Sequence, residues 1–227
     1  MKIILTGGGE SEFFESIDEK FIELISHNPK LLYIPTAGED YEEGLDRIRS
    51  VFSTIDFKSI NMCKDISELN WDYVSTFGAI YIDGGNTFKL MSEIRNSHFY
   101  ELINKFINSG GVVNGDSAGA IILGSHLQTA HMGETPDENS SNLVSYQGLN
   151  LLGNIAIHCH YEDQDNGEII EFSKEYGFPI LCLYEESSIY IHDYIAYVAS
   201  KKAVKIFYDN TQKVFISGQS INLRQFI

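Results

Sequence analysis

The sequence predicts an α/β fold, with a mainly parallel central sheet, helices on both faces and extra antiparallel strands toward the C-terminus. In the first half, short apolar runs typical of buried strands alternate with segments whose apolar residues repeat at helical spacing. In the last third, strand-like runs follow one another closely. The length of 227 residues and the 43% hydrophobic content suit a single domain, 1–227.

The N-terminal elements follow this alternation. Residues 2–6 predict a buried strand, and Gly7-Gly8-Gly9 predicts a tight turn directly after it. The next predicted elements are a helix over 13–26, a strand over 31–34 that Pro35 stops, a helix over 41–54 and a strand near 57–61.

The central elements are marked by glycines. Residues 78–82 predict a strand that ends at Asp83-Gly84-Gly85-Asn86, and Thr87 is placed to cap the following helix. Gly110-Gly111 is a typical helix C-terminus. The predicted elements here are helices over 88–95 and 98–109 and a strand over 112–114.

Residues 125–142 interrupt the pattern. They are polar and contain Gly133 and Pro136, so they predict a long loop, which is either a binding loop or lid or a mobile insertion. Strand-like runs resume afterwards, and Asp209-Asn210 marks a turn between the last two. These runs cover 154–160, 180–184, 188–192, 194–199, 204–208 and 213–216.

Composition narrows the partners and the location. The chain has 16 Lys and Arg against 32 Asp and Glu, a formal net charge of −16. Such a field repels phosphate backbones and anionic membranes, so we expect no nucleic-acid and no membrane partner. No apolar run approaches the length that spans a bilayer, and the N-terminus runs into glycines, so a cytoplasmic location is expected.

The three cysteines (Cys63, Cys159 and Cys182) include no Cys-x-x-Cys pair, which argues against disulfides and against a zinc site with thiolate ligands.

The most informative segment is Gly115-Asp116-Ser117-Ala118-Gly119, a Gly-x-Ser-x-Gly pattern between an apolar strand and an apolar helix. A sharp strand-to-helix turn exposes the serine at the carboxyl edge of a sheet, and small neighbours permit the strained backbone. The N–H of Ala118 would then face a developing oxyanion at the helix N-terminus. The pattern predicts a nucleophile, Ser117.

A chymotrypsin-like arrangement is excluded by chain order, because it requires the catalytic His and Asp upstream of the serine in a barrel of strands. Only His27 and His98 precede Ser117, and the upstream half of the chain is α/β.

A second glycine motif follows the strand over 78–82. Gly84-Gly85 at a strand's carboxyl end lets the chain approach a ligand closely. We therefore predict that Gly85 supplies a second oxyanion-hole N–H; the alternative is a turn that only closes the strand.

The general base is expected among the histidines after Ser117. His160 is favoured because it ends the strand-like run over 154–160, where a base can face the elbow. The other candidates are His126, His131, His158 and His192. A metal site built from His158, His160 and the acidic residues at 162–165 is an alternative, but no further spaced ligand motif supports it. No metal or other cofactor is expected.

A serine–histidine pair needs a carboxylate that holds the imidazole tautomer. Glu185 follows the run over 180–184 and is placed at the right kind of strand end, while Glu186 and Asp163 are competitors.

Together these motifs resemble the peptidase E and cyanophycinase family of serine peptidases. The resemblance rests on Ile-Pro-Thr-Ala (34–37), Gly-Gly-Asn-Thr-Phe (84–88), Gly-Asp-Ser-Ala-Gly-Ala (115–120), His-Tyr (160–161) and Glu-Glu-Ser-Ser-Ile (185–189). It implies a fold similar to class I glutamine amidotransferases, a flavodoxin-like three-layer arrangement, and hydrolysis of short peptides. It also implies a Ser117–His160–Glu185 triad, with Gly85 and Ala118 as the oxyanion hole. We expect the protein to be a monomer or a homodimer.

One departure concerns specificity. The aspartyl dipeptidase pattern has an arginine after the catalytic histidine, but residues 161–176 contain none, and Lys174 is their only basic residue. An Asp side chain would lack a bidentate partner there, so strict Asp-X specificity is not expected.

An inactive amidotransferase-like binding or regulatory domain is the alternative function. A nucleotide-binding protein has only Gly7-Gly8-Gly9 in its favour.

Overall fold

The computed structural model describes residues 1–9, 15–52 and 59–226. Its strands are β1 (Lys2–Thr6), β2 (Lys30–Ile34), β3 (Ser59–Met62), β4 (Ala79–Ile82), β5 (Val112–Asp116), β6 (Ala156–His158), β7 (Ile180–Leu183), β8 (Ser188–His192), β9 (Ile195–Val198), β10 (Val204–Tyr208), β11 (Thr211–Phe215) and β12 (Ser220–Asn222). Its helices are α1 (Glu15–Ile25), α2 (Tyr41–Val51), α3 (Trp71–Val74), α4 (Thr87–Arg95), α5 (Phe99–Asn108), α6 (Ala118–Leu123) and α7 (Asn166–Tyr176). None of the helices within these ranges is long and apolar enough to cross a membrane.

Eight strands form the larger sheet, in the order β12-β9-β8-β1-β5-β4-β2-β3. The five strands from β1 to β3 in that order are parallel to their neighbours. β8 pairs antiparallel with β1, and β9 and β12 extend the sheet antiparallel beyond it. The predicted α/β fold, with a mainly parallel sheet and antiparallel strands toward the C-terminus, is therefore confirmed.

Strand alternation gives this sheet two buried faces. In β1, Ile4 packs into the core cluster that contains Phe21 of α1 and Ile48 of α2. Its neighbours Ile3 and Leu5 pack into the cluster formed with α4, α5 and α6. Each fully buried Ile, Leu or Phe side chain contributes about 1.5–3 kcal/mol relative to exposure, so both layers stabilise the sheet.

The sequence pattern did not reveal a separate second sheet. It has four strands in the order β11-β10-β7-β6, with β6 and β7 parallel and the other pairs antiparallel. Its core includes Tyr161, Ile180 and Phe207, and Ile169 of α7 packs against them. Neither α7 nor β12 was predicted from the sequence.

Several predicted boundaries need correction. Asn86, not Thr87, caps α4, because its side chain accepts the N–H of Lys89 at 2.9 Å. β6 ends at His158, so His160 lies in the turn beyond the strand. The predicted helix start at 13, helix end at 54 and strand start at 57 lie outside the described residues.

Candidate active site

Two sheets meet at one cavity of about 510 Å³. Its walls include the turns at the carboxyl ends of β1, β4 and β5 in the larger sheet and the turn after β6 in the smaller one. Ligand sites in open α/β sheets lie at the carboxyl ends of parallel strands, so this position is the expected one for a functional site.

Ser117 lies at the turn between β5 and α6, facing this cavity. Its backbone has φ 48° and ψ −113°, a strained conformation for a residue with a side chain. The flanking glycines make the turn possible. A β-carbon on Gly119 would lie 2.1 Å from the carbonyl oxygen of Ile82, and one on Gly115 would lie 2.5 Å from the carbonyl oxygen of Gly119. The Gly-x-Ser-x-Gly segment therefore adopts a strand–turn–helix elbow.

A continuous hydrogen-bond chain starts at this serine. Ser117 Oγ lies 2.8 Å from His160 Nε2, and His160 Nδ1 lies 3.0 Å from Glu185 Oε1. Because a carboxylate only accepts hydrogen bonds, Nδ1 carries the proton and Nε2 of the neutral ring accepts the serine hydroxyl. The geometry therefore suits proton transfer from Ser117 to His160, with the imidazole oriented by Glu185.

Asp163, the second candidate orienter, faces another partner. Its Oδ1 lies 2.5 Å from Nζ of Lys205 and 2.6 Å from the hydroxyl of Tyr184. Glu186, the other competitor, adjoins Glu185 but shows no hydrogen bond to His160 among the described residues.

The remaining downstream histidines lie in other environments. His158 Nδ1 lies 3.0 Å from the carbonyl oxygen of Thr129, and its Nε2 lies 3.5 Å from Asp165. His126, His131 and His192 are close to Phe178, Phe88 and Asp193, respectively. Within the described ranges, no three His, Cys, Asp or Glu side chains are grouped to hold a metal ion.

Two main-chain amides are candidates for the oxyanion hole. Ala118 is the first residue of α6, and Gly85 lines the cavity with φ 128°. In the described part of the chain neither N–H has a hydrogen-bond acceptor. By contrast, the N–H of Gly84, which precedes Gly85, donates to Asp83 Oδ1 at 2.9 Å. Two unpaired donors beside a nucleophile are available to a developing negative charge.

The glycine turn after β1 packs against the serine–histidine pair, a role that was not predicted. A β-carbon on Gly8 would lie 2.4 Å from His160 Cε1 and 2.9 Å from Ser117 Cβ. The amides of Gly7 and Gly9 donate to the carbonyl oxygens of Ser187 and Glu185. Those donors are used within the protein, so they do not form a phosphate-binding cradle. The only signal in the sequence was the glycine triplet itself.

Arg47 also lines the cavity, and no local motif indicates it. Its guanidinium donates to Asp83, and its Nη1 lies 3.9 Å from Asp116 Oδ2. Asp83 also accepts the hydroxyl of Tyr33, while Asp116 Oδ1 accepts the hydroxyl of Thr6 at 2.5 Å. Burial, reinforced by the nearby Asp83 carboxylate, raises the pKa of Asp116 to about 6. The guanidinium is thus shared between two carboxylates of the protein.

Cys159 is a second potential nucleophile on the cavity wall. It is buried, and burial raises the pKa of its thiol well above the usual value. Since only the thiolate is a strong nucleophile, Cys159 is inert beside Ser117 at neutral pH.

The loop over 125–142 forms another wall of the cavity and is fastened to the start of α4. Asn86 Nδ2 donates to the carbonyl oxygen of Glu138 at 3.0 Å, and the N–H of Thr87 donates to Asp137 Oδ2 at 2.8 Å. The Gly-Gly-Asn-Thr segment therefore both lines the cavity and holds the loop.

The sequence profile of peptidase family S51 matches residues 3–198. The chain belongs to peptidase family S51. Relatives named peptidase E include one from a Nostoc species, 28% identical over 73% of this chain and 68% of the relative. Another is from Shewanella denitrificans, 23% identical over 93% of this chain and 92% of the relative.

The fold is also similar to that of a solved peptidase structure. The crystal structure of a peptidase from an acI-B1 Actinobacterium superposes with a TM-score of 0.74 at 20% identity, over 97% of this chain and 96% of the other. Together with the peptidase E relatives, family membership makes this protein a serine-type peptidase, a hydrolase.

Proposed function

We propose that this S51 peptidase hydrolyses short peptides through a Ser117–His160–Glu185 triad and an acyl-enzyme intermediate. The supporting observation is the hydrogen-bond chain from Ser117 Oγ to His160 Nε2 and from His160 Nδ1 to Glu185, which starts at a strained elbow. Such an arrangement activates a hydroxyl that is otherwise a weak nucleophile at neutral pH.

The chemical steps follow from these positions. Ser117 Oγ attacks the scissile carbonyl carbon while its proton passes to His160 Nε2. His160 then protonates the leaving amine as the peptide C–N bond breaks and the acyl-enzyme remains. A water molecule, deprotonated by His160, attacks the ester carbonyl. The bond between the acyl carbon and Ser117 Oγ then breaks, Oγ takes the proton back from His160, and the free acid leaves.

The oxyanion of each tetrahedral intermediate would be bound by the N–H groups of Gly85 and Ala118. Both are unpaired in the described part of the chain, and the dipole of α6 adds favourable potential at Ala118.

Arg47 bears on the choice of substrate. An acidic substrate side chain needs a free guanidinium, but Arg47 is already paired with Asp83 and lies near Asp116. Lys174, the only basic residue over 161–176, does not line the cavity. We therefore propose that the enzyme does not require an N-terminal Asp. Comparing Asp-Leu with Ala-Leu and Leu-Leu tests this, since a strict preference for Asp-Leu contradicts it.

The triad is tested with wild-type protein and Ser117→Ala in a dipeptide and tripeptide panel, alongside labelling by a small fluorophosphonate. In labelling, Oγ bonds to phosphorus and fluoride leaves. We expect hydrolysis and a single adduct on Ser117 in the wild type, and neither in the variant. A Ser117→Ala variant with full activity contradicts the assignment. A wild type that neither labels nor hydrolyses any peptide favours a binding or regulatory domain.

A further inference from the structure

Lys205 is a buried cation next to the candidate active site. It lies on β10 and is only 8% exposed. Lysine is almost never this buried unless its charge is paired. Its Nζ lies 2.5 Å from Asp163 Oδ1 and 2.8 Å from the hydroxyl oxygen of Tyr161.

These contacts join two separate segments. Asp163 Oδ1 accepts from Lys205 and also from the hydroxyl of Tyr184, 2.6 Å away. The rings of Tyr161 and Tyr184 meet edge to face, with centroids 4.7 Å apart, and Nζ lies 4.9 Å and 5.6 Å from them. One ammonium group therefore ties the turn after β6 to the end of β7.

Both tyrosines are chain neighbours of proposed triad members. Tyr161 follows His160, and Tyr184 precedes Glu185. The His160 and Glu185 side chains are themselves 37% and 57% exposed, so burial alone does not fix them. His160 also has φ 53°, an uncommon backbone conformation that its surroundings must maintain.

The electrostatics show that the cluster holds a stable ion pair. Burial opposes the charge on Lys205, but hydrogen bonds to Asp163 and Tyr161 outweigh burial and raise the pKa of Lys205 above its usual value. The hydrogen bond from Lys205, followed by those from Tyr184 and Tyr161, lowers the pKa of Asp163 to about 2. Both groups are charged at neutral pH.

We propose that Lys205 is a positioning residue for the proposed peptidase reaction. Through Asp163, Tyr161 and Tyr184, it holds His160 and Glu185 at the spacing that Ser117 requires. The inference rests on the proposed function. Lys205 touches neither the substrate cavity nor the three triad side chains, so its effect is on the turnover step and not on substrate binding.

The main experiment compares Lys205→Met, Lys205→Arg and Lys213→Met in steady-state hydrolysis of the best dipeptide. Since displacement of a catalytic group by about 1 Å can lower rates roughly 100-fold, we expect Lys205→Met to lower kcat by roughly 10- to 100-fold. KM should change less than about threefold, since the cavity walls are untouched. Lys205→Arg keeps a positive charge paired with Asp163, so this variant should retain most of the wild-type kcat. Lys213 is an exposed lysine on β11, and its variant should behave as wild type.

Two further comparisons separate positioning from simple destabilisation. Asp163→Ala should resemble Lys205→Met, and the double variant should be no slower than the slower single one, because both changes remove the same ion pair. Ile25→Ala, in a fully buried position on α1, lowers the melting temperature without touching the cluster and should keep wild-type kcat while folded. If Lys205→Met does not fold, Tyr184→Phe carries the test, since it removes only the hydroxyl donor to Asp163 and should lower kcat several-fold.

Each outcome decides one point. Wild-type kcat in folded Lys205→Met overturns the positioning role, as does a loss that Ile25→Ala reproduces at an equal melting temperature. Ser117→Ala is assayed beside them. If that variant is active, the proposed triad fails and the role of Lys205 fails with it. If Ser117→Ala is inactive while Lys205→Met is fully active, only the inference on Lys205 is wrong.

Discussion

Gly8 and His160 are in such close contact that a β-carbon on Gly8 would lie 2.4 Å from the Cε1 atom of His160. Gly8 also has φ 98°, which residues with side chains rarely adopt. The glycine turn after β1 therefore constrains the imidazole from one side, while Glu185 hydrogen-bonds it at Nδ1.

Replacing Gly8 by alanine should disrupt this contact. We expect Gly8→Ala to lower kcat/KM at least about 100-fold, because the new methyl group displaces the imidazole from Ser117. Gly110→Ala is the matched control. Gly110 has φ 95°, but a β-carbon there meets nothing within 4 Å. Both variants should lose about 1–2 kcal/mol in urea unfolding from backbone strain, but only Gly8→Ala should lose activity. Equal activity in the two variants contradicts the prediction.

Glu185 and its neighbour Glu186 can be distinguished as the residue that orients the imidazole. Glu185→Ala removes the acceptor 3.0 Å from His160 Nδ1, so we expect kcat to fall roughly 100- to 10,000-fold. The control is Glu186→Ala, which changes the neighbouring carboxylate and should keep kcat within about twofold, as is usual for a surface change. Steady-state kinetics on one dipeptide checks both. A larger loss from Glu186→Ala would shift the assignment to that residue.

Asn86 should link helix stability to the loop over 125–142. Asn86→Ala removes the cap of α4 and the bond to the carbonyl oxygen of Glu138. We expect a loss of about 1 kcal/mol in the free energy of unfolding and faster proteolysis within 125–142. Asn70→Ala removes a similar cap from α3 and should lower stability comparably, without affecting the loop. If both variants are cleaved in the loop at the same rate, Asn86 is only a cap.

The free energy of unfolding should depend on pH through protonation of the Asp116 carboxyl group. Burial raises the pKa of Asp116 to about 6, so the folded chain binds this proton more tightly than the unfolded chain does. Because of Asp116, the free energy of unfolding therefore falls as the pH rises from about 4 to about 6. Above pH 6 the loss is complete. Between these limits, wild type should lose up to about 3 kcal/mol relative to Asp116→Asn.

Urea unfolding at pH 4 and pH 7 measures that difference. The exposed Asp72→Asn serves as the control and should show the same pH dependence as wild type. A difference between wild type and Asp116→Asn that does not change with pH contradicts the prediction.

Local patterns carried much of the fold prediction. β1, β4 and β5 are short and buried, with glycines in or shortly after each strand, so they were predictable, and so was the elbow at Ser117. α7 was missed because it begins with Asn-Gly and buries only Ile169 and Ser173, which leaves little helical periodicity. The second sheet was missed because an apolar strand does not specify which sheet it joins.

Local sequence motifs predicted some residues of the candidate site and gave no signal for others. Ser117 and Gly85 were predicted because their local turns have characteristic residues. His160 was predicted because it ends a strand-like run, and Glu185 because it follows one. Arg47 and Lys205 carry no local signal. Each reaches the site from an element whose own sequence is ordinary, so only tertiary packing brings it there.

The division of the proposed triad between two sheets has a consequence for biosynthesis. The elbow with Ser117 is complete within the first 124 residues, but His160, Glu185 and Lys205 emerge later. The chain passes between the sheets four times, from α6 to β6, β7 to β8, β9 to β10 and β11 to β12. A ribosome-bound chain that ends before β10 thus has a serine whose base is not yet held in place. Under the proposed scheme, the complete triad geometry therefore depends on strands that are translated last.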